Sequence, residues 1–471
     1  MTSVDDIINA LILSYNTSDI KKLPEDLREA LYKEAKKCLE KSESADNTER
    51  CNERKTLMRL IINNQLNKKP VSDLIKGPLS ITLHWNSDMK MMIYIFGEFH
   101  SSKTDCEVFP QEKYINGEKV PVKSMFIEDY MKELLINTDS YIDFFLEEKA
   151  HIGYDPDLTN DETANRLHIL RNSFRECISD IKSRNTNPNC ILSRSHYFDI
   201  RQGTVKGQFD VVSLLINELY ILNNIYTKNQ DIEEFIIRFD NIRRKFYSFI
   251  KTIITTSSNY GFVDFWQKQL FSYPFLNQKM KRSSQYDCIK SFINAEIKLE
   301  SLKYKETMQV TIEKLFSILE KVGTDKVGTN EGKLDTNKCE KERERIIRYV
   351  GRFQEALIMV NSTIADGYLL SRVFKEFDIN TDKPEKKRGF DEPQRPHNII
   401  IYGGNVHANR CRKFLETIKF KRLEQNIYDD SMTVSNCVDM KNIIQPLFSY
   451  IPDDDCVYYK EPYIPINIKR L

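Results

Sequence analysis

Two short stretches of the chain carry side chains able to do chemistry. Gly97-Glu98-Phe99-His100 follows the apolar run Met91–Phe96, and Gly404-Asn405-Val406-His407 follows Asn398–Tyr402. An imidazole titrates near neutral pH and binds divalent metals, while a carboxylate supplies a base or an oxygen ligand. One GxxH is a weak pattern. Two of them, each at the end of a strand-like run, are much less expected by chance. Two further runs also end in polar groups. Tyr141–Leu146 is closed by Glu147 and Glu148, and Cys190–Leu192 is followed by Ser195-His196-Tyr197-Phe198-Asp199-Ile200-Arg201. In a parallel sheet all four ends can converge on one edge, the edge at which open α/β sheets bind ligands. The expected cluster can bind a divalent metal. It can equally pair a general base with a cation that stabilises a developing anion.

The elements that must position this cluster follow from hydrophobic period. Short continuous apolar runs closed by Gly or by charge read as strands buried on both faces. Ser80–Trp85 reads as another strand, followed by a turn at Asn86-Ser87-Asp88, and the Gly after Phe96 is expected to let the backbone turn sharply. Ser124–Leu135 and Glu162–Ile181 read as helices between the strands. Strands alternating with helices predict an α/β core with a mostly parallel central sheet and crossover helices, over residues 77–204 and 341–457. A helical insert, 205–340, divides it, with helical spacing in Val211–Ile225, Ile232–Ile254, Phe262–Leu270 and Tyr286–Leu319. Glu342–Phe377 repeats Ile346, Val350, Phe353, Leu357, Val360 and Ile364 at helical spacing. Residues 1–76 read as an N-terminal helical region, Val322–Cys339 and Thr381–Pro396 as exposed loops, and 458–471 as an extended Tyr/Pro tail.

Composition removes several classes. Seventy basic against 69 acidic residues give a net charge of +1, so no global field draws the chain to nucleic acid or anionic membrane. The longest apolar runs, Met91–Phe96 and Ile7–Leu13, fall far short of the ~20 residues of a spanning helix. Asp5 and Asp6, without an early Lys or Arg, do not suit a signal peptide. Ten Cys without a CxxC spacing predict mostly free thiols in a reducing compartment. No G-x-S-x-G, Walker A, GxGxxG or HExxH motif is present, which removes the commonest serine hydrolases, P-loop NTPases, dinucleotide enzymes and zincins.

The ordered set of GEFH, a strand ending at Glu147, an Arg, a helix with Asp366 and Arg372, and a strand with GNVH resembles the superfamily with paired GxxH motifs. That group includes the Tiki and TraB proteins, the ChaN-type haem-binding lipoproteins and the erythromycin esterases. HYFDIR (His196–Arg201) and DGYLLSRVF (Asp366–Phe374) also resemble uncharacterised homologues in giant DNA viruses of protists, and abundant Asn, Ile and Lys agree with an AT-rich genome. The resemblance covers Ile81–Glu148, Asn189–Arg201 and Asp366–Phe420; residues 1–76 and 205–340 lie outside it. In the Tiki-like branch the two motif histidines and a glutamate form a metal-dependent hydrolytic centre. Here that implies His100, His407 and either Glu98 or Glu147 around one divalent ion, Mn, Co or Zn. In the esterase branch the corresponding histidine is a base without a metal. Arg201 and Arg372 are the implied cations.

Unlike Tiki and ChaN members, this chain shows no signal peptide or membrane anchor, and its insert is large. The implied function is therefore an ester or peptide hydrolase. The alternative is a catalytically inactive structural or interaction protein on the same fold, such as a giant-virus particle component. The expected partners are a second copy of the chain or viral particle proteins, with no nucleic acid and no membrane insertion, in host cytoplasm or virion. Among the remaining histidines, His84 reads as packing, His196 as either a supporting group at the site or a hydrogen-bonded core residue, and His397 as a strand border. His151 and His168 read as solvent-facing.

Overall fold

A computed structural model describes residues 29, 32–33, 70–99, 109, 112–115, 118–138, 140–148, 166–173, 192–200, 211–227, 232–255, 263–264, 281–328, 336–377, 393–427, 436–448, 450–452 and 457–459. Along the chain the elements run β1 (Leu74–Lys76), β2 (Pro78–Asn86), β3 (Met91–Glu98), β4 (Glu112–Ile115), β5 (Glu118–Pro121), β6 (Ser124–Phe126), α1 (Ile127–Ile136), β7 (Ile142–Leu146), α2 (Arg166–Ser173) and β8 (Ser193–Tyr197). They continue with α3 (Val211–Thr227), α4 (Ile232–Lys245), α5 (Tyr247–Thr255), α6 (Tyr286–Gly328), α7 (Thr336–Val373), β9 (Asn398–Gly404), α8 (Asn405–Thr417), β10 (Lys421–Ile427), β11 (Cys437–Asp439), β12 (Tyr450–Pro452) and β13 (Val457–Tyr459). The chain forms two compact units. One comprises Met1–Glu148, Ile152–Tyr197 and Lys375–Leu471; the other comprises Lys149–His151 and Phe198–Phe374.

The first unit is built on a six-stranded sheet of order β10-β2-β3-β9-β7-β8. β9 pairs in parallel with β3 on one side and β7 on the other, and β7 pairs in parallel with β8. The three apolar runs of the sequence are thus adjacent parallel strands. Their burial explains why they lack alternation: Ile93, Tyr94, Ile95 and Phe96 are all fully buried, as are Ile142, Phe144, Phe145, Ile399 and Ile400. Residues two apart share a face. Tyr94, Phe96, Phe144, Leu146, Ile400 and Tyr402 join Ile127, Tyr130, Met131, Leu134 and Leu135 of α1 in one core cluster. On the other face α8 packs against β3, β9 and β2. Outside this sheet, β1 lies between β11 and β6, and β4–β5 and β12–β13 form hairpins.

The sheet is mixed, with three parallel and two antiparallel strand pairs. β2 returns antiparallel to β3, and β10 pairs antiparallel with β2. The cause is the short connection after Asn86, too short for a crossover. The Asn86 side-chain oxygen accepts from Met89 N at 2.9 Å, and Lys90 takes a positive φ of 51° to complete the expected turn.

Other expectations also shift. The third strand lies in the continuation of its apolar run: Ser193–Tyr197 pairs with β7, Leu192 accepts from Ile142 N at its edge, and Cys190 and Ile191 lie outside the described residues. Ser124–Phe126 is strand, not helix, because it pairs with β1, itself a strand inside the region expected to be helical. Helix α6 extends to Gly328 and α7 starts at Thr336, both inside the expected loop Val322–Cys339. The continuous helix expected over Ile232–Ile254 is divided into α4 and α5 at Phe246.

Within the second unit α7 packs against α6 and α3, burying Val350, Phe353, Leu357 and Val360 at the expected spacing. Among the described residues no helix is long and apolar enough to cross a membrane. Cys288 and Cys411 are free thiols, but Cys437, fully buried on β11, is disulfide-bonded, so the thiols are not uniformly free. The expected helix Thr56–Leu66, most of Pro24–Leu39, the loop before Pro393 and the tail after Tyr459 lie outside the described residues.

Candidate functional site

The parallel register brings the two motifs side by side. Gly97 lies opposite Gly403 and Glu98 opposite Gly404, so the strand ends coincide at the carboxyl edge of the sheet. Gly97 stays in the strand and makes no turn. Its need for glycine is a close approach. A Cβ there would sit 2.5 Å from Asn405 Oδ1, 2.7 Å from Ser80 Oγ and 3.1 Å from the Ala408 Cβ. The first glycine of GEFH therefore makes room for the asparagine of GNVH, which is a physical reason for the two motifs to occur together.

Asn405 opens α8, and its side-chain oxygen accepts from Ser80 Oγ at 3.2 Å. Ser80 Oγ in turn accepts from Arg412 Nη2 at 2.8 Å. The same guanidinium donates to Thr82 Oγ1, Asn409 Oδ1 and the Ile95 carbonyl. Burial pulls the Arg412 pKa down to about 10, so it remains a cation at neutral pH. Arg412 thus ties the start of α8, and with it His407, to β2 and β3.

In the first turn of α8, His407 Nε2 lies 3.0 Å from Glu147 Oε1. The other oxygen, Oε2, accepts from the backbone N–H of Gly404 at 2.6 Å. That N–H belongs to the N-cap of α8, where the helix favours negative charge. Glu147 is itself placed by its own N–H, which donates to the Tyr402 carbonyl at 3.0 Å. The two side chains are 5 % and 4 % exposed. Beside them Tyr402 donates its hydroxyl to Glu98 Oε2 at 2.5 Å. Burial, then the Glu98 charge, pushes the Tyr402 phenol far above its ordinary value, so it stays a donor.

The structure therefore brings His407 and Glu147 together at the carboxyl edge of the sheet, while Glu98, at the end of the neighbouring strand β3, is bonded to Tyr402. His100 and Arg201 lie outside the described residues. Arg372 is in the last turn of α7 and Asp366 is buried in the same helix; both belong to the second unit. His196 is a core residue. Its Nε2 is 2.7 Å from Asp143 Oδ1 and its ring is stacked on Phe145 and Phe377 at 4.4 and 5.1 Å. Arg194 also holds Asp143, through Nε at 2.6 Å and Nη2 at 3.1 Å. Burial pushes the Asp143 carboxyl up, but Arg194 and His196 outweigh it and hold it below the ordinary carboxylate range. His84 is fully buried packing, and desolvation, then the nearby Arg422 and Arg412, lowers its pKa to about 3. His397 borders the strand as expected, exposed, with Nδ1 3.1 Å from the Lys90 carbonyl.

Tyr402, Arg412, Ser80 and the Gly404 N–H were not legible as site residues. Tyr402 reads in sequence as one more apolar strand position, and nothing in the spacing announces a hydroxyl aimed at Glu98. Among the described residues no three of His, Cys, Asp and Glu converge as a metal ion needs. Comparison of the chain with protein-family models, curated proteins and solved structures finds no match.

Proposed function

We propose that the chain is a hydrolase of ester or peptide bonds in which His407 is the general base and Glu147 its orienting carboxylate. The carrying observation is the 3.0 Å contact between Nε2 and Oε1 at the carboxyl edge of the parallel strands. Glu147 selects the tautomer with the proton on Nε2, which leaves Nδ1 as the basic atom. In the reaction Nδ1 takes one proton of a water as the water oxygen bonds to the substrate carbonyl carbon. Glu147 stabilises the resulting imidazolium. The proton then passes to the leaving oxygen or nitrogen as its bond to carbon breaks. The reading takes the segments that join the parallel strands to be crossovers covering the sheet, one of them containing α1.

A divalent ion, Mn, Co or Zn, is the form of this reading that the paired-GxxH resemblance carries. The described donors fit it poorly, since Glu98 accepts from Tyr402 and Glu147 from Gly404 and His407. The test is hydrolysis of a panel of chromogenic esters and peptide amides by wild type, His407→Gln and Glu147→Gln. Loss of a base of this kind lowers the rate about 10²–10⁴-fold. Equal turnover by wild type and His407→Gln overturns the proposal.

The burial of His407, Glu147 and Glu98 favours one second reading. In it the network ties strand ends together in an interaction protein, self-associating or part of a viral particle. It requires that His407→Gln lower thermal stability while wild type hydrolyses nothing in the panel.

A further inference from the structure

Arg171, Arg194 and Arg412 are three of the four buried arginines among the described residues of the first unit, and their surroundings differ. Arg194 is satisfied by both oxygens of Asp143 and by the Pro393 carbonyl, and its face lies 4.0 Å from the Phe377 ring centroid. Arg412 is satisfied by three side-chain oxygens of β2 and α8 and by a backbone carbonyl. Arg171, on α2, is different. It is 4 % exposed, yet among the described residues its hydrogen bond is a long 3.3 Å contact from Nη1 to Glu148 Oε2, and its Nη2 is buried with no partner there. A buried guanidinium nitrogen without an acceptor is costly, because its desolvation is uncompensated. Glu148 is the chain neighbour of Glu147, so this cation stands at the same end of β7 as the carboxylate that orients His407.

We propose that Arg171 is the recognition residue for a carboxylate, taken through Nη2 at the end of β7. Arginine is the side chain best shaped for a carboxylate oxygen, and burial strengthens such a charge-assisted bond. The surroundings select the charge. Glu148 already balances part of the guanidinium. A monoanion fits that balance; a phosphate dianion meets the Glu148 carboxylate with a second charge in excess. Binding of the carboxylate does not depend on hydrolysis. That the carboxylate belongs to the substrate rests on the hydrolase reading, and it makes the substrate class an ester or peptide with a free acid group close to the scissile bond.

The test titrates the full chain with ¹³C-acetate, followed by NMR, and separately with inorganic phosphate. Wild type is expected to bind acetate more tightly than phosphate. Arg171→Gln is expected to weaken acetate about ten- to a hundredfold, the value of one charge-assisted hydrogen bond. Glu148→Gln removes the competing charge and is expected to tighten acetate several-fold, which keeps the test decisive if Arg171→Gln does not fold. Acetate binding by wild type together with no hydrolysis of the ester and amide panel would leave this assignment standing and overturn only the hydrolase reading, so the two failures are separable. No acetate binding by wild type, tighter binding of phosphate, unchanged binding in Arg171→Gln, or weaker binding in Glu148→Gln each overturns the assignment.

Discussion

Replacing Gly97 by Ala tests the reason for the paired motifs. The added methyl carbon would lie 2.5 Å from Asn405 Oδ1 and 2.7 Å from Ser80 Oγ, both below any normal carbon contact. Neither oxygen can swing away without loss, since Ser80 donates to Asn405 and accepts from Arg412. The Ala408 Cβ at 3.1 Å closes the third side, on a helix packed against β3. Overpacking a filled site costs ~1–3 kcal/mol, and breaking the Ser80–Asn405 bond adds ~1 kcal/mol. Gly97→Ala should therefore destabilise the chain by about 2–4 kcal/mol, read as a lowered midpoint in urea unfolding followed by far-UV circular dichroism. Asn405→Ala removes the nearest obstacle. The double variant should then be less destabilised than the sum of the singles by about 1 kcal/mol or more. A Gly97→Ala loss under about 0.5 kcal/mol, or strict additivity with Asn405→Ala, would refute the close-approach explanation.

The buried ionisable groups give two more expectations. His84 has its pKa lowered from 6.5 to about 3, so the unfolded chain takes up its proton first. Stability from this residue is unchanged above pH 6.5 and falls between 6.5 and 3, by up to about 1.4 kcal/mol per pH unit. The acid limb of a pH–stability curve should be shallower in His84→Gln, and coincident curves would contradict the assignment. Asp143→Asn leaves Arg194 and His196 without the carboxylate that both contact. Urea unfolding should show a loss of ~3–5 kcal/mol; a loss below ~1 kcal/mol, the scale of a solvent-exposed pair, would show the cluster to be solvated.

Much of the interior was readable because burial on both faces leaves a mark on every residue of a strand. Met91–Phe96 and Ile399–Tyr402 are continuous apolar runs and Tyr141–Leu146 is broken only by Asp143; they lie in the adjacent parallel strands β3, β9 and β7. Strand β8 left no such mark. It lies at the edge of the sheet, and its Arg194 and His196 are polar because their partner is Asp143 on β7, a pairing made only when the strands meet. The sequence therefore offers it only as a continuation of the apolar run before it. Gly97 was legible as a glycine with a purpose, but its purpose was misread. A turn and a close approach ask for the same missing Cβ, and only the packing of α8 on β3 tells them apart.

Local residue type and period suffice for the apolar strands, the paired GxxH stretches at their ends, and the carboxylates Glu98 and Glu147 that flank them. Packing of the strands and helices is what gives Glu147 both the Gly404 N–H and His407, turns the Tyr402 hydroxyl to Glu98, and buries Arg171 with a nitrogen unmatched among the described residues. Those contacts join residues far apart in the chain. Their geometry is set by strand register and helix docking, and neither is encoded in the spacing of the residues that meet.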